Sequence, residues 1–355
     1  MTGESRRVTI KDVALAAGVG VGTVSRALNN IGGVSANSRE HIQQVAVELG
    51  YRPNPHARFL KTGASRNIAV MMKGRDNALF HSMIGPMEAR FREQGFRFSL
   101  VSVAYTGDEV LQARHTVEDD KVSGVVFLGG NITHSPQDLA SLTVPWVLST
   151  VSELPNVDPS LYSSVGLDDE REACRIVNHL VGLGHRRIAL LGVPETDTSV
   201  GALRRKGYRN ALLAAGIRPD PELECQLDTP GFTPYTFNYG YRLMKRLLRA
   251  RPDVTAVFAV ADVIAIGACR AILESGLTIP RDVSVAGFDG TEMARYYHPS
   301  LTTITQPALA MAEATCQILF DLMASGRSQH LVYAGELTLA ESSGPPRMPR
   351  AGAGA

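Results

Sequence analysis

Residues 9–28 read TIKDVALAAGVGVGTVSRAL, and this stretch decides the fold of the N-terminal region. Its opening Thr-Ile-Lys-Asp fits a capping box, so we predict a helix from Ile10 to about Ala17. Gly18 ends that helix, and apolar residues at helical spacing predict a second helix from Val21 to about Leu28. Two short helices joined by a turn that contains glycine form a helix-turn-helix.

A third helix is predicted over residues 36–49, with Ser35 as its N-cap and Gly50 as its end. On periodicity alone, a plain three-helix bundle is favoured over a DNA-binding module. The glycines at positions 18, 20 and 22 also imitate a dinucleotide-binding loop. That loop follows a strand within a βαβ unit, whereas a capped helix precedes these glycines, so we reject a dinucleotide site.

The charge is divided unevenly along the 355 residues. The net charge is +1, but residues 1–67 carry nine Lys and Arg against four Asp and Glu, or +5, and the rest carries 27 against 31, or −4. A basic module before a mildly acidic body indicates that the first part binds a polyanion and that the second has another role. The apolar share of 44% excludes a collagen-like or wholly disordered chain.

Several blocks at fixed spacing carry a family resemblance: VTIKDVA at 8–14, TVSR at 23–26, VS at 34–35 and LGYRPN at 49–54. They resemble the headpiece of the lactose-repressor/galactose-repressor family, and the resemblance extends to about residue 342. It implies a bacterial transcription factor, expected to be a repressor, that binds a pseudo-palindromic double-stranded operator as a homodimer. The implied fold is a small all-α helix-turn-helix headpiece plus an α/β, two-lobed, periplasmic-binding-protein-like (type I) core.

The family places its second helix in the major groove, and its base-contacting positions correspond here to Val21, Gly22 and Arg26. Arg26 is expected to contact guanine through two hydrogen bonds, whereas the other two offer only apolar contact or close approach. The hydroxyls expected to contact phosphates are Thr9, Thr23 and Ser25. Gly20 stands where the family usually has serine, and this poorer N-cap removes one expected phosphate contact.

Residues 54–66 are expected to link the two parts. Asn54-Pro55 is a good helix start, but a helix that ends by Lys61 is too short to be stable alone, so the residues by themselves favour a linker turn. The resemblance implies instead a hinge helix that pairs in the dimer, enters the minor groove and inserts Leu60 between base pairs. The matching contact residues are Asn54, Ala57, Arg58, Leu60 and Lys61.

From residue 67 on, short β-rich runs alternate with amphipathic helices, which is typical of parallel sheets in an α/β fold. Predicted strands lie at 68–72, 96–101, 124–128, 146–148, 187–192, 256–260 and 283–288. Predicted helices lie near 80–94, 108–120, 169–183, 199–215, 235–250, 262–275 and 307–325. The series looks duplicated, so we expect two lobes that face each other across a ligand-binding cleft.

The body resembles the effector domains of the same family through LGHRRI at 183–188, SVAGFD at 284–289 and PSLTTI at 299–304. In that fold the final segment crosses back to the first lobe. Lobe 1 is therefore expected to hold residues 67–166 and 299–326, and lobe 2 residues 167–298 and 327–342.

Candidate effector contacts follow from the matching positions. Phe80, with Leu79 before it, matches an aromatic that stacks on the effector, and Arg204 matches the effector-binding arginine. Asp262 and Asp289 follow predicted strands, where an acceptor is placed to hold hydroxyl groups. A second aromatic wall is expected from Tyr235 or Phe237. The structural alternatives are a core position for Phe80, a surface charge for Arg204 and a helix N-cap for Asp262.

Carboxylates and an arginine around an aromatic ring favour a sugar or a sugar acid as effector. An aromatic sandwich would favour a purine or nucleoside acting as co-repressor. Leu79, and Thr198 in place of a second arginine, depart from the purine-type pattern. The alternative of another class is a solute-binding protein without DNA function, which would need a signal peptide and would lack the basic module.

An enzyme and a cofactor are not expected, because the sequence contains no H-E-x-x-H, G-x-S-x-G or Walker motif. The nine histidines are dispersed without metal-ligand spacing, and the four cysteines stand singly. The N-terminus has no apolar signal core, and no stretch approaches about 18 uncharged apolar residues. A cytoplasmic, nucleoid-associated bacterial protein without a membrane span is expected.

The expected boundaries are 1–53 for the headpiece, 54–66 for the hinge helix and linker, and 67–342 for the effector-binding and dimerisation core. Residues 343–355 are rich in Gly, Pro and Ala and are expected to form a disordered tail. Because this tail has no leucine heptads, a tetramerising coiled coil is not expected.

Overall fold

The computed structural model describes residues 8–28, 33–49, 66–75, 77–227 and 233–347. The chain divides into two compact units. One consists of residues 1–64 and 323–326, and the other consists of residues 65–322 and 327–355.

The N-terminal unit contains the three predicted helices, which are α1 (Ile10–Ala16), α2 (Val21–Leu28) and α3 (Ala36–Glu48). The carboxylate of Asp12 accepts hydrogen bonds from the backbone N–H and the hydroxyl of Thr9, both at 2.7 Å. Gly18 has a φ of 66°, a left-handed conformation that glycine adopts without strain, and so turns the chain from α1 to α2. The small apolar core consists of Val13, Ala14, Ala17, Val24, Ala27, Ile42 and Ala46.

The larger unit alternates strands and helices, as predicted. Its strands are β1 (Asn67–Lys73), β2 (Arg97–Val103), β3 (Gly124–Leu128), β4 (Trp146–Ser149), β5 (Ser163–Leu167), β6 (Ile188–Leu191), β7 (Glu224–Cys225), β8 (Ala256–Ala259), β9 (Ser284–Ala286), β10 (Thr303–Thr305), β11 (His330–Tyr333) and β12 (Glu336–Thr338). Its α-helices are α4 (Ala78–Glu93), α5 (Glu109–Asp120), α6 (Pro136–Ala140), α7 (Asp169–Gly182), α8 (Val200–Ala214), α9 (Phe237–Ala250), α10 (Asp262–Glu274), α11 (Glu292–Tyr296) and α12 (Ala308–Ser325). Two short 3₁₀ helices span Pro159–Leu161 and Pro221–Leu223.

Two parallel sheets form the two lobes. Lobe 1 has the strand order β11-β5-β4-β3-β1-β2, and lobe 2 has the order β7-β6-β8-β9. Every pairing within these two sheets is parallel. Strands β3, β4, β5, β6 and β8 are buried along their whole length, which matches strands covered on both faces. The predicted two-lobed α/β architecture is confirmed.

The assignment of residues 327–342 to lobe 2 requires correction for β11 and β12, whereas Ser342 does bond to Val285 of lobe 2. Strand β11 pairs in parallel with β5, so it belongs to the lobe 1 sheet. Strand β12 pairs antiparallel with β10 in a separate two-stranded sheet. The sequence analysis missed β5, β7, β10, β11 and β12, because these short strands lack an alternating apolar pattern long enough to mark them.

Residues 343–347, expected to belong to a disordered tail, are instead ordered against lobe 2. The backbone N–H of Gly344 donates to Ser284 Oγ at 3.1 Å, and its carbonyl oxygen lies 2.8 Å from Nε2 of the buried His185. Arg347 donates to the carbonyl of Pro252 at 3.1 Å. A composition rich in glycine and proline did not reveal these contacts, because they depend on lobe 2 and not on the segment itself.

Helix α12 is long and apolar enough to cross a membrane by length and composition alone. A core helix passes the same test, and α12 packs within lobe 1. Its Met311 and Cys316 are fully buried, Thr315 Oγ1 lies 2.9 Å from Ser149 Oγ of β4, and the helix also carries Glu313 and Asp321. The composition of α12 is therefore explained by its place in the core.

Candidate functional site

Gly22 and Arg26, two of the three predicted base-contacting residues, lie on the side of α2 that faces away from the headpiece core, whereas Val21 is half-buried and packs against that core. Gly22 and Arg26 are exposed, whereas Val24 and Ala27 are fully buried. Apart from its chain neighbours and the backbone of α2, no atom of the described residues lies within 4 Å of the place that a Cβ would take at Gly22. Arg26 Nε donates to the Gly22 carbonyl at 3.3 Å, so the guanidinium folds back along the helix. This open face is suited to the close approach of another macromolecule.

The predicted phosphate contacts divide into two sets. Thr9 is exposed, but its hydroxyl is already committed to Asp12, so a contribution to capping α1 is visible in the structure. Thr23 and Ser25 are half-buried on α2. The predicted hinge contacts Asn54, Ala57, Arg58, Leu60 and Lys61 lie outside the described residues.

In the larger unit, a cleft of about 900 Å³ lies between the two lobes. It is found at the carboxyl ends of strands from both sheets, as the positions of Lys73, Asn131 and Asp289 show. The backbone N–H of Ile132 in lobe 1 donates to the Thr198 carbonyl in lobe 2 at 2.7 Å. Val200 and Leu203 of lobe 2 also pack against the apolar cluster of lobe 1. The two walls are therefore in direct contact beside the cleft.

Arg204 reaches the cleft from α8 and is only 4% exposed. Its Nε donates to Asp169 at 2.7 Å, and its Nη1 donates to Asp289 at 3.2 Å and to the Val260 carbonyl at 2.6 Å. The guanidinium carbon lies 3.7 Å from the centroid of the Phe288 ring. Burial opposes the charge of Arg204, but the two carboxylates outweigh it and raise its pKa. The alternative of a solvated surface charge is thereby excluded.

Asp289 lines the cleft as predicted and joins the same network. Its Oδ1 also accepts a hydrogen bond from Gln306 Nε2 at 2.9 Å. Its φ of 117° is unusual for a residue other than glycine, and such strain persists only where surrounding contacts hold the residue, as Arg204 and Gln306 hold Asp289. Burial raises the pKa of Asp289 above its ordinary value.

Asp262 does not contact the cleft, so the prediction that it binds the effector is wrong. Its carboxylate is fully buried away from the cleft lining. It accepts hydrogen bonds from the backbone N–H of Thr291 at 2.7 Å and from Thr303 Oγ1 at 2.6 Å. Ala261, not Asp262, is the N-cap of α10. Burial and the neighbouring Asp289 raise the pKa of Asp262 to about 7. Asp262 therefore joins loops beneath the site instead of facing a ligand.

On the lobe 1 wall, Lys73 Nζ donates to Glu109 Oε2 at 2.7 Å and to the Gly107 carbonyl at 2.8 Å. Glu109 also lies 2.7 Å from His134 Nε2 and accepts from the Asn131 backbone N–H at 2.6 Å. Burial alone would raise the pKa of Glu109, but His134 and Lys73 outweigh it and lower the pKa to about 2. The Glu109 carboxylate thus fixes both Lys73 and Asn131 at the edge of the cleft.

Among the described residues, three aromatic side chains line the cleft. Phe80 lies in the first turn of α4, where Asn77 accepts a hydrogen bond from the Leu79 N–H, and both Leu79 and Phe80 are largely buried. Tyr105 of lobe 1 and Tyr235 of lobe 2 face each other with ring centroids 6.2 Å apart and a tilt of 55°. Phe237, the alternative to Tyr235, is 45% exposed and lies outside the lining.

The structure thus brings Leu79, Phe80, Arg204, Tyr235 and Asp289 to one cleft. Lys73, Tyr105, Asn131, Asp197 and Gln306 are among the polar lining residues that were not predicted from the sequence. The first three lie at or just after the ends of β1, β2 and β3, so the strand-end argument used for Asp289 would have found them.

Comparisons with known proteins agree with this architecture. Residues 9–54 match the family model of bacterial regulatory proteins of the lacI family, and residues 177–342 match a periplasmic binding protein-like domain. The chain is 35% identical to the HTH-type transcriptional regulator MalR of Clostridium butyricum, with 94% of this chain and 99% of that protein covered. It is 32% identical to the HTH-type transcriptional regulator CelR of Thermobifida fusca, with 95% and 98% covered.

Solved structures show the same likeness. The complex of the transcriptional regulator CelR with cellobiose has a TM-score of 0.69 and 30% identity, and the match covers 95% of this chain and 100% of that one. The lac repressor dimer bound to operator and to the anti-inducer ONPF has a TM-score of 0.66 and 29% identity, with 96% and 100% covered.

Proposed function

The chain belongs to the lacI family of bacterial regulatory proteins, and on that premise we propose that an uncharged saccharide in the cleft switches its affinity for operator DNA. The protein is a helix-turn-helix transcriptional regulator with a periplasmic-binding-protein-like core. The proposal adds the chemistry of the effector and the residues that contact effector and DNA.

The observation that carries the proposal is the pairing of the buried cations in the cleft. Arg204 is neutralised by Asp169 and Asp289, and Lys73 is neutralised by Glu109. Arg75, which is exposed at the rim, is the other cation in the described lining. A phosphate or carboxylate on the ligand would therefore meet no unpaired buried cation in that lining, and its desolvation would go uncompensated.

Sugar hydroxyls fit the cleft lining better than a phosphate or carboxylate does, because they both donate and accept hydrogen bonds. Asp197, Asp289, Asn131 and Gln306 offer carboxylate and amide groups, and Phe80 offers an apolar surface. The cleft volume lies near the upper end of the roughly 300–1,000 Å³ typical of ligand sites, which leaves room for more than one sugar ring. The cellobiose complex of the related CelR supports this choice.

A purine effector fits less well. A nucleobase sandwich needs two parallel rings with the base between them. Tyr105 and Tyr235 are tilted by 55° and lie close enough to contact each other. Together with Leu79 and Thr198, this geometry favours the saccharide.

Isothermal titration of the full-length protein tests the proposed effector class. The panel comprises glucose, cellobiose and maltose as neutral sugars, gluconate as a charged analogue, and adenosine. We expect a neutral sugar to bind, gluconate to bind more weakly than glucose, and adenosine not to bind. Binding of gluconate or adenosine in preference to every neutral sugar would contradict the proposal. Operator binding with and without the bound sugar then distinguishes induction from co-repression, both of which this architecture allows.

For the DNA side, we propose that Arg26 contacts a guanine and that Val21 and Gly22 allow close approach in the major groove. Thr23 and Ser25 are the proposed phosphate contacts on α2, and the hinge residues 54–61 are the proposed minor-groove contacts.

Arg26→Ala is expected to reduce discrimination between operator and random DNA by about 10- to 100-fold. Fluorescence anisotropy over a series of salt concentrations measures the affinity for both DNAs. Lys206→Ala in the core is the control, because it also removes one positive charge. Equal losses of affinity on both DNAs would refute a base contact.

We further propose that the protein acts as a homodimer in the bacterial cytoplasm, at the nucleoid. A two-fold operator requires two headpieces, and the related lac repressor is a dimer on its operator. The proposed boundaries place the headpiece in residues 1–53, the hinge in 54–66 and the core from 67 to at least 347. Removal of residues 1–67 is expected to abolish DNA binding and to preserve sugar binding.

A further inference from the structure

Tyr105 carries a buried hydroxyl oxygen for which no hydrogen-bond partner lies among the residues that the structure describes. Buried polar groups in proteins are nearly always paired, because an unpaired group loses its bonds to water without replacement. Tyr162 of the same lobe shows the usual outcome, since its hydroxyl oxygen accepts a hydrogen bond from the Leu154 N–H at 2.9 Å. Tyr105 differs in that it lines the cleft.

The position of Tyr105 is set by the surrounding chain. It lies in a tight turn in which the Gly107 N–H donates to the Ala104 carbonyl at 2.8 Å. Lys73 donates to the Gly107 carbonyl, and the buried Glu109 holds Lys73 in turn. A Cβ at Gly107 would lie 3.1 Å from the Ala104 carbonyl oxygen, so the turn favours glycine there. The hydroxyl is thus presented by a pre-organised loop and not by a freely moving side chain.

The opposite wall holds a second tyrosine in place. Tyr235 has a φ of 58°, and its hydroxyl lies 3.1 Å from Ser199 Oγ, which donates to Asp197. Its ring faces that of Tyr105 across the two lobes. The ring contact joins the two lobes, because each tyrosine belongs to a different lobe.

We propose that the Tyr105 hydroxyl hydrogen-bonds to the effector and that its ring, against Tyr235, couples effector binding to closure of the lobes. The inference rests on the proposed saccharide effector, whose hydroxyl groups supply the missing partner. Tyr105 is thereby a residue that determines effector specificity, and its turn is positioned by Lys73 and Glu109.

The test compares Tyr105→Phe, Tyr105→Ala and the control Tyr162→Phe in the full-length protein. Titration with the sugar of the panel that binds the wild type is expected to show about tenfold weaker binding for Tyr105→Phe. Tyr105→Ala, which also removes the ring, is expected to bind more weakly still. Tyr162→Phe is expected to bind like the wild type.

Thermal unfolding without sugar gives a second readout that needs no ligand. Tyr105→Phe is expected to unfold at the same or a higher temperature than the wild type, because it removes an unpaired polar atom, whereas Tyr162→Phe should unfold at a lower temperature. Loss of stability in Tyr105→Phe would show that the hydroxyl has a protein partner and would overturn the inference. Unchanged sugar affinity in that variant would also overturn it. Failure of every neutral sugar to bind the wild type would overturn the proposed function itself, and the inference with it.

Discussion

The two walls of the cleft bury their polar groups in different ways. On lobe 2, Arg204 is surrounded by Asp169, Asp289 and the Val260 carbonyl, so its charge is compensated within the protein. On lobe 1, Lys73 is compensated by Glu109, but the hydroxyl of Tyr105 has no partner among the described residues. The buried charge of the lobe 2 wall is therefore compensated within the protein, whereas the lobe 1 wall presents a hydroxyl that can still form a hydrogen bond.

Because of this difference, we expect the lobe 2 network to contribute mainly to the stability of the fold and the Tyr105 hydroxyl mainly to effector binding. A buried ion pair stabilises little by itself, yet removal of one partner is severe because the other charge is left uncompensated. Substitutions in the lobe 2 network should therefore act on folding first. A pre-organised unpaired hydroxyl should instead act on ligand affinity. The following predictions test that division, beginning with the largest expected effect.

Arg204→Met should destabilise the protein by about 3–5 kcal/mol, because Asp169 and Asp289 would remain buried without their cation. Urea unfolding followed by circular dichroism measures the loss. Lys206→Met is the control two positions along the same helix, where the side chain is 65% exposed and pairs with Glu170. It should change stability far less than Arg204→Met does, because solvent screens an exposed ion pair. Similar losses for the two variants would show that the Arg204 network is not a structural centre.

Glu109→Gln should remove an acid-sensitive part of the stability. The pKa of Glu109 falls from 4.5 to about 2 on folding, so its contribution is fully present above pH 4.5 and is lost as the pH falls toward 2. That shift corresponds to about 3 kcal/mol. The variant should be less stable than the wild type at pH 7, and the difference should shrink in acid. Unfolding curves between pH 7 and pH 2 measure this, with exposed Glu118→Gln of the same helix as control. A difference in stability between the wild type and Glu109→Gln that stays constant with pH would contradict the role of the Glu109 ion pairs.

Gly201→Ala should disturb the lobe 2 wall through crowding. A Cβ there would lie 2.5 Å from Tyr235 Oη and 2.7 Å from Val193 Cγ2, so we expect a loss of about 1–3 kcal/mol and weaker sugar binding. Gly182→Ala, in another helix of lobe 2, would place its Cβ more than 4 Å from every described residue outside its own stretch of helix, and it should be neutral or slightly stabilising. Thermal unfolding and titration of both variants separate crowding from the general effect of alanine in a helix.

Tyr235→Phe should show the smallest effect and the opposite sign to Tyr105→Phe in the absence of sugar. The Tyr235 hydroxyl has a partner in Ser199, so its removal should lower stability by about 0.5–1.5 kcal/mol. Differential scanning calorimetry of the two variants side by side measures the contrast. Equal shifts of the unfolding temperature in the two variants would show that the Tyr105 and Tyr235 hydroxyls do not differ in their hydrogen bonding within the protein.

Local signals in the sequence were sufficient for much of the fold. The Thr-x-x-Asp start and Gly18 placed α1 and α2, because a capping box and a left-handed glycine are decided by neighbouring residues. The alternation of β-rich runs and helices predicted two parallel-sheet lobes. The family resemblance added Phe80 and Arg204, which no local pattern assigns to a cleft.

Only the tertiary structure decided which groups meet. Strand β11 belongs to lobe 1 because β5 offers an open edge to it, and Asp262 lies away from the cleft because Thr291 and Thr303 bind its carboxylate. Tyr105 stands out for the partner it lacks among the described residues. The sequence by itself determined the headpiece helices and the longer strands and helices of the two lobes, since propensity, capping and periodicity act over a few residues. Pairing, neutralisation and burial depend on groups far apart in the chain, and so they were decided only when the lobes packed together.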